Sequence, residues 1–189
     1  MMTLDGSASS DPDSTPGTHD DIVLFEWFVH YGTELETLLG IGEVLDIAMP
    51  LGGHLVTLRV TDNAGATDTD TVQLAVVDTT PPEISVEVDP SSLWPPNHKL
   101  VDVFASVVAE DICSEPAVVL TSVTSSEPGH PRRGGDIRDA EVGTADFEMK
   151  LRASRRGNGP GRTYTLVYTA TDSSGNESSA TGTVEVPHN

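Results

Sequence analysis

Apolar and polar residues alternate along most of this chain, the period of two that sends successive side chains to opposite faces of a strand. The clearest case is 55–61, where Val56, Leu58 and Val60 point one way while Thr57, Arg59 and Thr61 point the other. The same alternation runs through Val72, Leu74 and Val76 in 71–77, and through Ile84, Val86 and Val88 in 83–88. Further strands are expected at 2–8, 22–30 and 43–49, then at 100–109, 117–123, 145–153, 163–171 and 180–186. No window sustains apolar residues at helical spacing, so the expected class is all-β.

Asp78-Thr79-Thr80-Pro81-Pro82 divides this pattern in two. Consecutive prolines lack backbone donors and impose an extended path, so no strand pairs continuously through them. Residues 1–78 and 79–189 each hold a full run of strands, and 189 residues suit two small domains. A weak internal repeat supports the division. Aligning Asp62 with Asp172 sets Val56, Leu58 and Val60 opposite Leu166, Tyr168 and Ala170, and both following turns read Thr-Asp-x-x-Gly. The expected architecture is two tandem immunoglobulin-like β-sandwiches built on one plan.

Charge narrows the function classes. Thirty acidic residues against ten basic ones give a net charge of −20, which disfavours nucleic acid or an anionic membrane as main partner and favours cations. The single Cys113 cannot form an intrachain disulfide, so an extracellular protein of this kind needs another staple. No apolar run approaches transmembrane length, and Met1-Met2-Thr3-Leu4-Asp5 does not read as a signal peptide. The expectation is a piece of a longer secreted or surface-attached chain. Sequence signatures of catalysis are absent: there is no His-Glu-x-x-His, no Gly-x-Ser-x-Gly and no phosphate-binding glycine loop. A non-catalytic role is therefore expected.

Residues 4–13 (Leu-Asp-Gly-Ser-Ala-Ser-Ser-Asp-Pro-Asp), Trp27 and 60–68 (Val-Thr-Asp-Asn-Ala-Gly-Ala-Thr-Asp) resemble the polycystic-kidney-disease (PKD) domain family. That resemblance implies an immunoglobulin-like sandwich of secreted bacterial proteins. Two departures stand out: the family's first strand is missing, and Phe28-Val29-His30-Tyr31-Gly32 replaces the aspartate-rich run that follows the tryptophan. In the second half, residues 78–82 and 170–176 resemble bacterial immunoglobulin-like modules related to hyalin-repeat and cadherin-like domains. These resemblances imply a spacer or adhesion segment.

In an immunoglobulin-like sandwich the start of the first strand, the loop between the second and third strands and the loop before the last strand share one end. Asp78, Asp111, and Asp172 with Asn176 occupy those places. Carboxylate and amide oxygens converging from three loops suit calcium, which takes six to eight hard oxygen ligands. A calcium site at the joint is expected, set against the alternative that Asp78 and Asp172 merely organise their own turns. Asp11, Asp13 and Asp62 form a second-choice calcium set, for which a solvated acidic loop is the competing reading.

Eight of the ten basic residues lie between 132 and 162: Arg132, Arg133, Arg138, Lys150, Arg152, Arg155, Arg156 and Arg162. Such a segment could hold an anionic glycan or a neighbouring protein module, with Arg152 and Arg155 as candidate ligand contacts; arginine simply solvating its loops is the alternative. Trp94, beside Pro95 and Pro96, could stack on a sugar ring, although packing over the sandwich end is commoner. The alternative function is thus a carbohydrate- or protein-binding accessory module of a secreted hydrolase.

Overall fold

The structure is a computed structural model that describes residues 1–12, 14–15, 18–129 and 135–188. The chain is all-β and divides into two compact units, Met1–Val77 and Asp78–Asn189, so Asp78 belongs to the second. No helix of the described residues is long and apolar enough to cross a membrane.

The first unit contains β1 (Met2–Asp5), β2 (Ile22–Val29), β3 (Thr37–Ile41), β4 (Val44–Ile47), β5 (Gly52–Asp62) and β6 (Thr67–Val76). β1 pairs with β4, and a second sheet runs β3-β2-β5-β6. Leu4, Trp27 and Val56 are the buried centre, with Leu39, Leu45, Leu58 and Leu74 among the residues packed against it. Trp27 is only 4% exposed, and its indole N–H donates to the Gly42 carbonyl at 2.9 Å. Ordinary alternation sets Phe28 on the face opposite Trp27, and the register shift between them skips Leu39 of β3. There the Arg59 guanidinium lies 5.0 Å over the Phe28 ring and donates to Glu26 at 2.9 and 2.7 Å. Thr57, the ladder partner of Phe28, is buried beneath this cluster although simple alternation would leave it in water. The strand β3 was not anticipated, because Thr37-Leu38-Leu39-Gly40-Ile41 carries no polar alternation.

The second unit contains β7 (Glu83–Asp89), β8 (Leu100–Glu110), β9 (Ala117–Ser125), β10 (Ile137–Arg138), β11 (Glu148–Arg152), β12 (Gly161–Thr171) and β13 (Glu177–Pro187). One sheet runs β10-β11-β8-β7 and the other β13-β12-β9. In chain order this is the four-plus-three arrangement of a constant-type immunoglobulin sandwich. After β7 the chain crosses between sheets. Leu93 N–H donates to the Glu185 carbonyl at 2.7 Å, Glu185 N–H donates to that of Ser91 at 2.9 Å, and Leu93 is buried as an anchor.

One row of β12 organises this unit. Tyr164, Leu166, Tyr168 and Ala170 face inward and are fully buried, as a period-two strand between two sheets requires. The two tyrosine hydroxyls do not go unsatisfied: Tyr164 donates to the Arg152 carbonyl and Tyr168 to that of Asp146, both at 2.9 Å. The same row begins with buried Arg162 and is followed by buried Asp172, so a cation closes one end of the core and an anion the other.

Sheet contact is close at Gly182 of β13, where a Cβ would stand 2.6 Å from Val88 Cγ1 and 2.9 Å from Val86 Cγ1. Gly182→Ala is therefore expected to destabilise the second unit by about 1–3 kcal/mol through overpacking, read as a lower denaturant midpoint at unchanged slope.

Candidate metal site

The three segments singled out above meet at one end of the second unit. The Asn176 side-chain amide donates to the Asp78 carbonyl at 3.1 Å, and Ser173 N–H donates to Ser114 Oγ at 3.1 Å. The Ser178 hydroxyl donates to the Pro82 carbonyl. The start of β7, the β8–β9 loop and the β12–β13 turn are thus tied together by direct hydrogen bonds.

Within that frame the acidic residues divide by what already engages them. Asp172 is buried and organises its own turn: Oδ1 accepts from Ser174 and Asn176 N–H, both at 2.8 Å, and Oδ2 accepts from the Asn176 amide at 2.7 Å. Burial works to raise its pKa, but these bonds prevail and hold the carboxyl below its usual range. Asp111 Oδ1 accepts from Cys113 N–H at 2.8 Å and Ser114 N–H at 3.0 Å. Asp78 Oδ1 accepts from Thr80 N–H at 3.0 Å, whereas its Oδ2 is sealed from solvent and receives no N–H or O–H donor.

That oxygen matters, because a buried carboxylate oxygen with only a thiol, a weak donor, beside it is poorly satisfied. Asp78, Asp111 and Cys113 each present a donor atom within 4.8 Å of the other two. The sequence expectation is thereby revised. Asp172 and the Asn176 amide nitrogen are committed to holding the turn, while Cys113, read earlier only as a residue without a disulfide partner, joins Asp78 and Asp111. Loss of hydration around the sulphur, then the negative charge of Asp78 and the thiol's hydrogen bond to it, then the charges of Asp111 and Asp172, push the Cys113 thiol above its usual pKa.

The second-choice residues lie in the first unit. Asp62 Oδ1 accepts from Ala64 and Ala66 N–H at 2.9 and 2.7 Å and so forms the β5–β6 turn. Asp11 and Asp62 line an open cavity of about 380 Å³ together with Asp5, Asp68 and Asp70. Asp13 lies outside the described residues.

The arginine-rich segment differs most from its expected role. Arg152 is not a ligand-facing side chain: it is 9% exposed, with Nε 3.0 Å from Asp136 Oδ1 and further bonds to the carbonyls of His98 at 2.8 Å and Gly135 at 3.0 Å. Arg162 donates to Asp136 Oδ2 at 2.5 Å, to Tyr164 Oη at 2.9 Å and to Glu127 Oε2 at 3.4 Å. Glu127 also accepts from Arg156 N–H at 2.8 Å. Arg155 Nε donates to the Pro187 carbonyl at 2.9 Å, which docks the β11–β12 loop on the end of β13. Arg132 and Arg133 lie outside the described residues. Trp94 is half exposed beside buried Leu93.

No family model matches this chain, and no curated protein matches it. Among solved structures, it is similar to the fibronectin(III)-like modules of Clostridium thermocellum CbhA at 12% identity and a TM-score of 0.34, over 88% of this chain and 78% of that one. A structure described as the basis for Dscam isoform specificity aligns over 85% of this chain and 36% of its own, at 10% identity and a TM-score of 0.28. The N-terminal eight Ig domains of Down Syndrome Cell Adhesion Molecule isoform 1.30.30 align over 86% of this chain and 18% of their own, at 11% identity and a TM-score of 0.28.

Proposed function

We propose that this chain is a non-catalytic, calcium-binding spacer or adhesion segment of a secreted or cell-surface bacterial protein. The observation that carries the reading is the buried Asp78 Oδ2, which takes no N–H or O–H donor, beside Asp111 at the meeting point of three loops. Calcium there receives oxygen from Asp78 and Asp111, with water completing its shell, and offsets the repulsion among Asp78, Asp111 and Asp172. Its structural effect is to fasten the first residue of the second unit to the loop that follows β8.

Calorimetric titration tests the reading. One calcium is expected to bind at about 0.1–1 mM, the range of extracellular modules. At a hundredfold excess over Kd, binding adds about 2.7 kcal/mol to the stability of the second unit. Asp78→Asn keeps the oxygen that accepts from Thr80 and removes the charge. The variant is expected to lose the calcium increment while unfolding no earlier than the wild type in chelator. An increment that survives in Asp78→Asn contradicts this placement of the ion.

A second reading, a glycan- or protein-binding accessory module, is favoured by Trp94 alone: the residue is 52% exposed, and the Leu93 next to it is buried. The arginines no longer support that reading equally, because Arg152 and Arg162 are interior groups.

A further inference from the structure

We propose that Cys113 gives the same site a second class of ligand, a thiophilic dication such as zinc, held by the Cys113 thiolate with the Asp78 and Asp111 carboxylates. The inference rests on the reading of Asp78 and Asp111 as a cation site, and it adds a donor that calcium does not use. Calcium is hard and takes oxygen, whereas zinc is borderline and binds thiolate, imidazole and carboxylate in a four-coordinate shell.

The geometry suits the smaller ion. Donors sharing a tetrahedral zinc, at about 2.0–2.3 Å from the metal, stand about 3.4–3.6 Å from one another. The Cys113 sulphur and the two carboxylate oxygens already lie within 4.8 Å, so modest side-chain rotation brings them to one ion. Cys113 sits on the exposed side of the loop, giving the cation a path in, and Asp78 Oδ2 lies at the buried end, where it takes no N–H or O–H donor and the carboxylate interacts with the Cys113 thiol. Asp111 is held between them by the N–H groups of Cys113 and Ser114, so oxygen and sulphur ligands share one short loop. On binding, the S–H bond breaks as the metal–sulphur bond forms. The proton passes to solvent, the cation sheds bound water, and one water remains as the fourth ligand.

The test uses the full chain kept reduced by a phosphine, with cobalt(II) as the spectroscopic probe for zinc. Wild-type protein is expected to show a thiolate-to-cobalt charge-transfer band in the near ultraviolet that zinc abolishes by displacement. Cys113→Ser is expected to lose the band and to bind zinc at least about tenfold more weakly, the smallest penalty typical of disturbing a metal's surroundings. The same variant keeps its calcium-induced stabilisation, whereas Asp78→Asn loses the responses to both metals. A wild-type protein without the band, or a Cys113→Ser variant that binds zinc as tightly as wild type, overturns the thiolate assignment. If calcium stabilisation persists in that case, the calcium reading stands alone. A cobalt band without any calcium response supports the thiolate site and removes the calcium reading instead.

Discussion

Arg162→Ala is expected to destabilise the second unit by about 3–5 kcal/mol, the usual cost of removing one partner from a buried ion pair. Arg162 is 4% exposed at the end of the buried β12 row, and its guanidinium serves Asp136, Glu127 and Tyr164 together. Burial alone works to lower its pKa, yet the bonds to Asp136 and Tyr164 outweigh that effect and raise it. With the guanidinium removed, the buried Asp136 and Glu127 each lose a positive partner. The Tyr164 hydroxyl still has the Arg152 carbonyl, so most of the penalty falls on the carboxylates. Arg162→Lys keeps the charge but not the planar fork, and an intermediate loss is expected. Denaturant unfolding measures both, and a change under about 1 kcal/mol for the alanine variant would contradict the ion-pair account.

Trp27→Ala is expected to cost about 3–5 kcal/mol in the first unit, the range for emptying an aromatic core position. The loss is large relative to what the unit holds. Among the described residues its central cluster is Leu4, Trp27 and Val56, and it includes the short β1–β4 pair as a separate sheet. Domains of this size hide a smaller fraction of their surface than larger ones and are correspondingly marginal. The expected result is loss of the first unit's cooperative transition with the second unit's transition left in place, read by two-dimensional NMR of the full chain. Simultaneous unfolding of both units would show that they are not separate cooperative bodies.

Much of the architecture was legible because the period-two pattern survives wherever one strand face is buried. Residues 164–170 and 84–88 alternate cleanly, and β12 and β7 lie where that pattern sets them. The pattern fails where both faces are covered or where a strand is very short. Thr57 is buried on the face it shares with Glu26, Phe28 and Arg59, where side chains cover what alternation alone would leave in water. β10 is two residues long and exists through its pairing with β11, so no local periodicity announces it.

The site was legible to the level of loops but not of atoms. The shared end of three loops follows from sandwich topology, and Asp78, Asp111 and Asp172 could be placed there by counting strands. Which carboxylate oxygen remains unsatisfied depends on individual N–H directions that no spacing encodes. The same count reaches Cys113, which stands two residues after Asp111, but a lone thiol carries no ligand spacing of its own. The arginines depart from the pattern for a physical reason. Clustered charge in a Gly- and Pro-rich segment usually signals solvent, but Glu127 and Asp136 fold inward with Arg152 and Arg162 and neutralise them at the core's edge.

A calcium titration followed by two-dimensional amide NMR tests the central claim most directly, because it reports where the ion sits rather than whether stability changes. The account predicts saturable shifts at Thr80, Cys113 and Ser114, whose N–H groups donate to Asp78 and Asp111, and at Ser174, which donates to the neighbouring Asp172. All four are expected to follow one binding curve, with Asp78→Asn abolishing it. Shifts confined to Ala64 and Ala66 beside Asp62, or small unsaturating shifts at every acidic loop, would contradict it.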